Sequence, residues 1–207
     1  ERRCANTGFV RVVDTDEGIR HDISRDKLSE LPTVFKSEGT VTPGNASQIT
    51  DGAAATLVTS RAFAEEHDLE ILAEVGNNAV AGVDPEVMGI GPIPACQQLF
   101  ERSGTSAEDY DLVELNEAFA SQCEYCRQQL GFDEDIYNVN GGAIALGHPL
   151  GASGARLPVT PIHDMHKRNA DTVIATERVR FGHGPSIELS LPHQEYSPPR
   201  HVGRPEA

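Results

Sequence analysis

The stretch Asn138–Gly154, NVNGGAIALGHPLGASG, holds five glycines, one histidine, one proline and almost no charge. Its glycines, at 141, 142, 147, 151 and 154, allow positive φ and close approach of the backbone to a ligand or a neighbouring segment. His148 stands between Gly147 and Pro149, in a turn that aims the ring rather than burying it. A helical pattern opens at Ala152. An imidazole on a tight turn ahead of a helix N-terminus suits proton transfer beside an anion. Phosphate-loop alternatives fail on spacing. No Gly-Lys-Ser/Thr follows, and Gly147, Gly151 and Gly154 do not fit G-x-G-x-x-G.

Outward from this stretch, helix and strand patterns alternate. Ser24–Leu31 reads as a short helix ended by Pro32, and Gly44-Asn45-Ala46-Ser47 as a loop. Asp51 caps an alanine-rich helix running to about Glu66. Leu69–Val83 reads as a long strand, Asp84–Pro92 as loop, and Ile93–Ser103 as a helix stopped by Gly104. Leu112–Leu115 is a short buried strand, and Glu117–Leu130 a helix ended by Gly131. Ala152–Arg168 is a helix, followed by strands at Asp171–Thr176 and Pro185–Leu191. The order predicts a layered α/β domain with a mixed sheet, its helices at 51–66 and 151–168 apolar enough to be buried. The expected organisation is an N-terminal segment, partly loop, over 1–23, a domain over 24–191, and a proline-rich, disordered tail over 192–207.

Composition narrows the function classes. The 207 residues include 32 acidic and 17 basic side chains, a formal net charge of −15. Such a surface argues against nucleic-acid and anionic-membrane partners. It fits either a soluble, self-repelling protein or one adapted to a salty cytosol. No apolar run approaches the ~20 residues of a membrane span, and the first residues show no signal-peptide pattern, so a cytoplasmic, reduced protein is expected. Four cysteines, at 4, 96, 123 and 126, are too few for a disulfide scaffold. The lone Cys123-Glu-Tyr-Cys126 pair cannot close a tetrahedral zinc site, and no metal is expected.

Asn138–Arg156 resembles the signature of the thiolase family, the acyl-CoA C-acyltransferases. Three further blocks resemble the same family in the same order: Gly39–Ala55 (GTVTPGNASQITDGAAA), Ala81–Pro94 (AGVDPEVMGIGPIP) and Asp111–Ala120 (DLVELNEAFA). The resemblance covers roughly Asp14 to Leu191 and corresponds to the C-terminal half of such an enzyme. It implies a thiolase-like C-terminal domain of order β-α-β-α-β-α-β-β, a layered mixed sheet with buried and flanking helices. It also implies CoA thioesters as substrates, no permanently bound cofactor, and an oligomer or a separate N-terminal half as partner.

The resemblance assigns roles residue by residue. His148, in Gly-His-Pro, matches the histidine that activates the nucleophilic cysteine and donates to a thioester oxygen, work suited to a near-neutral imidazole. Asn116, in Asn-Glu-Ala-Phe, matches the asparagine that holds an oxyanion-hole water; a helix N-cap is the other reading of that position. Glu117 is then a first-turn helix carboxylate or a supporting partner, with pairing to His148 one option. Ser47 matches a contact to the pantetheine amide. Arg20 and Phe35 fall where the family meets the CoA nucleotide and the pantetheine arm. Met88, Ala118 and Phe119 fall where it lines the acyl and pantetheine pocket.

Three departures accompany the likeness. None of the four cysteines sits in a context resembling the family's nucleophile. In the family's Cys-x-Gly turn Arg178 stands at the cysteine and Arg180 at the glycine. A guanidinium stays protonated and cannot take a proton at neutral pH; His183 is a nearby alternative base. Pro158 and Pro161 fall inside the helix after the glycine stretch, each disfavoured by roughly 3 kcal/mol. The expected function is thiolase-type acyl transfer, to which this chain contributes the histidine/asparagine part of the site while being inactive alone. The alternatives are a non-catalytic CoA-binding or scaffold subunit, and a decayed, truncated thiolase.

Overall fold

The computed structural model describes residues 14–16, 18–179 and 182–192, and the backbone at 2–3 and 10–11. Cys4, Arg180 and the tail from 193 onward lie outside the described residues. The chain divides into two compact units, Glu1–Gly44 and Asn45–Ala207.

The first unit holds a two-residue antiparallel ladder, β1 (Arg2–Arg3) with β2 (Val10–Arg11), and one short helix, α1 (Arg25–Ser29). Ser24 caps α1 by accepting from Lys27 N at 3.2 Å. Leu28 and Leu31 close over Gly44, where a side chain would collide with both.

The second unit is built on a four-stranded sheet of order β3-β6-β5-β4, comprising β3 (Glu74–Gly82), β4 (Leu112–Leu115), β5 (Thr172–Thr176) and β6 (His183–Ser190). β4 and β5 are parallel; β6 runs antiparallel to both of its neighbours. Side-chain alternation along each strand feeds two cores. Val113, Ile174 and Ala79 pack with Cys96 and Leu99 of α3 (Pro92–Ser103) and Leu130 of α4 (Ala120–Leu130). Leu112, Val173 and Leu189 pack with Met165 of α6 (Ser153–Arg168). Helices α3 and α4 therefore cover one face and α6 the other. Helices α3 and α4 end on Gly104 and Gly131 in the left-handed region, at φ 69° and 75°, as their sequence predicts. A further one-turn helix, α5 (Ala143–Leu146), lies inside the glycine-rich stretch.

Several expectations need correction. The segment expected as a capped helix from Asp51 is not helical before residue 61. Only α2 (Arg61–Glu66) forms, capped by Ser60 rather than Asp51, and Ala64 alone is buried there. Leu57 and Val58 are 77% and 73% exposed. An apolar helix of this kind needs a surface to bury against, and among the described residues none covers it. The strand expected from Leu69 begins at Glu74, and the loop after it contains a 3₁₀ turn, Pro85–Ile90. The family's third strand is reduced to one parallel bridge, Val113 with Tyr137. Helix α4 begins at Ala120 with Phe119 at its cap position, so Asn116 is not an N-cap.

Helix α6 runs through both prolines without interruption. Neither has an N–H to donate, so the usual helical bonds from these two positions back to Gly154 O and Leu157 O do not form. Pro158 lines an open cavity of about 330 Å³ with Gly154, Leu157, Val80 and Glu177, on the face of the sheet that α6 leaves partly bare. Pro158→Ala is expected to stabilise the chain by about 1–3 kcal/mol, read as a higher urea midpoint at unchanged slope.

Candidate functional site

The candidate site lies at the C-terminal ends of the parallel strands β4 and β5, where three loops meet. The first follows β4 and carries Asn116, Glu117, Ala118 and Phe119. The second is the glycine-rich stretch. The third, residues 45–50, runs between them. Ser47 N donates to Ala118 O at 3.0 Å, and Ala120 N donates to Asn45 O at 2.9 Å. Further along, His148 N donates to Gln48 O at 2.8 Å, with a parallel bridge from Ile49 to His148. One six-residue span thus ties Ser47, the Asn116 loop and His148 together. Gly147, at φ 94°, packs against Thr50, whose side chain occupies the space any Cβ would take.

His148 is half-buried. Its Nδ1 lies 2.6 Å from Ser153 Oγ. The Ser153 hydroxyl donates to Pro149 O at 3.1 Å. With its hydrogen so used, the hydroxyl oxygen accepts from Nδ1–H, which leaves Nε2 as the basic nitrogen. Burial lowers the imidazole pKa below its ordinary value, and the guanidiniums of Arg178 and Arg156 lower it further. The ring is therefore a neutral base at physiological pH.

Asn116 is fully buried, and neither its Oδ1 nor its Nδ2 has a hydrogen-bond partner. Its backbone is held firmly: Asn116 N donates to Thr176 O at 3.1 Å, and Ala118 N donates to Asn116 O at 3.1 Å. A buried amide with both polar atoms unpartnered is costly, and it offers a donor and an acceptor to a bound group or water.

Glu117 does not pair with His148. Its Oε2 accepts from Ile144 N at 3.1 Å and its Oε1 from Asn138 Nδ2 at 3.2 Å. It is therefore not a first-turn helix residue, and its carboxylate is bonded to the glycine-rich stretch instead of the imidazole. Beneath the site, Glu114 is buried and meets Arg156 Nη1 at 2.5 Å. Burial pushes the Glu114 carboxyl up to about 7, against the pull of Arg156.

The remaining expected residues divide by unit. Met88 lies on the 3₁₀ turn, its sulfur 3.7 Å from Arg178 Nη1. The Arg178 guanidinium lies over the Phe119 ring, 5.6 Å from its centroid. Ala118 is buried. Arg20 and Phe35 belong to the first unit; Arg20 is exposed, and Phe35 lines a shallow cavity of about 400 Å³ with Lys36 and Val41. The buried thiols are poor nucleophiles: burial pushes Cys96 and Cys126 up to about 11, and Cys123 also upward. Sequence reasoning missed Ser153, Asn138 and Arg156. Ser153 carried a signal, a hydroxyl one helical turn beyond the Gly-His-Pro turn.

Known proteins resemble this chain in sequence and in fold. Residues 69–190 match the family model for the thiolase C-terminal domain, and residues 4–62 match the model for the thiolase N-terminal domain. The likeness thus extends further toward the N-terminus than Asp14. The acetyl-CoA acetyltransferase of Chromobacterium violaceum is 48% identical over 179 residues, covering 86% of this chain and 46% of the relative. Peroxisomal 3-ketoacyl CoA thiolase 1 of Petunia hybrida is 46% identical over 84% of this chain and 37% of the relative. The crystal structure of the Bacillus anthracis acetyl-CoA acetyltransferase superposes with a TM-score of 0.82 at 39% identity, over 88% of this chain and 48% of that one. Human mitochondrial 3-ketoacyl-CoA thiolase in complex with CoA gives 0.78 at 37% identity, over 85% and 45%. The chain spans about half the length of the relatives it matches.

The lowered imidazole pKa has a definite sign. The folded chain resists protonation of His148, so this group's contribution to stability is complete above the ordinary imidazole value. It is lost as pH falls through the lower, folded value. NMR titration of His148 is expected to give a midpoint below that of the same residue in the urea-unfolded chain, and Arg178→Ala to raise it.

Proposed function

Because the chain belongs to the thiolase family, we propose that it supplies the histidine/asparagine part of an acyl-transfer site acting on CoA thioesters. The observation that carries this reading is the fully buried, unpartnered Asn116 amide, on a loop tied through residues 45–48 to the neutral His148. Nε2 of His148 takes the proton of an attacking thiol and returns it to the departing one. Asn116 Nδ2, directly or through a water, donates to the oxygen that gains charge as the thioester carbonyl is attacked. By the family likeness Ser47 contacts the pantetheine amide, and Met88, Ala118 and Phe119 line the acyl and pantetheine pocket; of the first unit's residues, the same likeness gives Arg20 to the CoA nucleotide and Phe35 to the pantetheine arm.

Among the described residues no thiol is fit to attack, since those at 96, 123 and 126 are buried and hard to ionise, and the sequence around Cys4 does not resemble the family's nucleophile; the attacking thiol then comes from another polypeptide segment. A separate thiolase N-terminal half is the partner that fits. The apolar side chains left bare in the second unit, Ile49 at 88% and Leu57 at 77% exposed among them, give it a surface to cover. The assembled protein works in the cytoplasm. Arg178 favours thioester exchange over the carbon–carbon step, because a guanidinium accepts no proton from the carbon α to the carbonyl. That same residue supports a second reading, a CoA-binding subunit without turnover.

Mixing the chain with a thiolase N-terminal half carrying a reactive cysteine is expected to restore acyl exchange between CoA thioesters, which His148→Ala abolishes. Arg178→Cys is expected to raise thiolysis of acetoacetyl-CoA by about 10²–10⁴-fold, the usual worth of a placed acid/base. CoA heat in calorimetry that Ser47→Trp removes, with no exchange from a stable complex, would establish the subunit reading instead.

A further inference from the structure

The two groups of the proposed site sit on separate loops, and the structure contains a device that holds those loops to each other. The device starts at Asn138, which is buried and adopts φ 46°. Its side-chain Oδ1 accepts from Leu115 N at 2.8 Å, while its Nδ2 donates to Leu115 O at 3.0 Å. The last residue of β4 therefore has both backbone groups bonded to the first residue of the glycine-rich stretch. Asn138 Nδ2 also donates to Glu117 Oε1 at 3.2 Å, and Glu117 Oε2 accepts from Ile144 N at 3.1 Å. Ile144 lies in the first turn of α5, whose last residue, Leu146, leads through Gly147 to His148. Asn116 is bracketed between Leu115 and Glu117. Gly142 fits against the Glu117 carboxylate so closely that any Cβ there would lie within it.

We propose that Glu117 is the positioning residue of this site. By accepting from Ile144 N and Asn138 Nδ2, its carboxylate fixes the Asn116 amide and the His148 turn relative to one another. It touches no reacting atom. Its work explains how Asn116 is kept buried without a partner: the residues on either side are anchored through their neighbours, so the amide cannot turn away to find one. It also explains the glycine at 142 by the space the carboxylate occupies. The inference deepens the proposed function and rests on it for the roles of Asn116 and His148; the clamp itself rests on the hydrogen bonds alone.

The test uses the full chain and NMR, with no turnover needed. Three variants, Glu117→Ala, Glu117→Gln and Gly142→Ala, are compared with Met165→Ala, which lowers stability from the far end of α6. In Glu117→Ala and Gly142→Ala, the Ile144 amide is expected to exchange at least ~10-fold faster than global unfolding accounts for. His148 is expected to lose its Nδ1-protonated signature and to titrate nearer the ordinary imidazole value, with Arg178 and Arg156 still the charges bearing on it. Glu117→Gln keeps one carbonyl acceptor and is expected to restore Ile144 protection and most of the His148 signature. Met165→Ala is expected to lower the melting temperature and leave both readouts unchanged. A wild-type His148 spectrum in Glu117→Ala and Gly142→Ala, or the same change in Met165→Ala, would overturn the proposal. A wild-type chain whose His148 titrates as free imidazole would overturn the proposed role of the histidine, while Ile144 exchange would still report on the clamp.

Discussion

The double hydrogen bond between the Asn138 side chain and the backbone of Leu115 is the joint on which the second unit depends. It imitates a strand pair where the chain forms no strand, since apart from its ladder with β5 the parallel pairing of β4 amounts to a single bridge at Tyr137. Asn138 N also donates to Val113 O at 2.8 Å, so the glycine-rich stretch enters the site already in register with β4. A buried amide side chain bonded on both sides fixes a backbone direction that five glycines alone would leave free.

Around this joint the charges are arranged so that the imidazole stays neutral. Arg156 and Arg178 both act on His148 and on the half-buried Glu177, whose carboxyl burial pushes upward. Arg156 is itself tied to Glu114. Asp164, on the same helix, takes the side-chain amide of Asn140. The two guanidiniums that bear on the histidine favour a thiolate or an enolate brought near it.

Much of the second unit was legible in the sequence because its signals are local. The run LVEL between two polar residues became β4 with the expected limits, buried at every position. Helices α3 and α4 stop where glycine enters the left-handed region. The histidine was legible from Gly-His-Pro and from the family likeness around it. The segment 51–60 was misread because alanine content argues for a helix only where a surface waits to bury it. The clamp was invisible for another reason: Glu117, Asn138 and Ile144 are joined by side-chain bonds across more than twenty residues, and no periodicity records such links.

The two prolines of α6 bear on more than that helix. Gly154, whose carbonyl loses its usual helical partner at Pro158, is exposed where it lines the open cavity beside the sheet with Pro158, while Leu157 is buried there. A polypeptide lying on that face would meet a pattern of polarity as well as an apolar wall. Serine or amide side chains set opposite Gly154 would match it better than leucine, a polar demand that Pro158 makes by giving up its amide hydrogen.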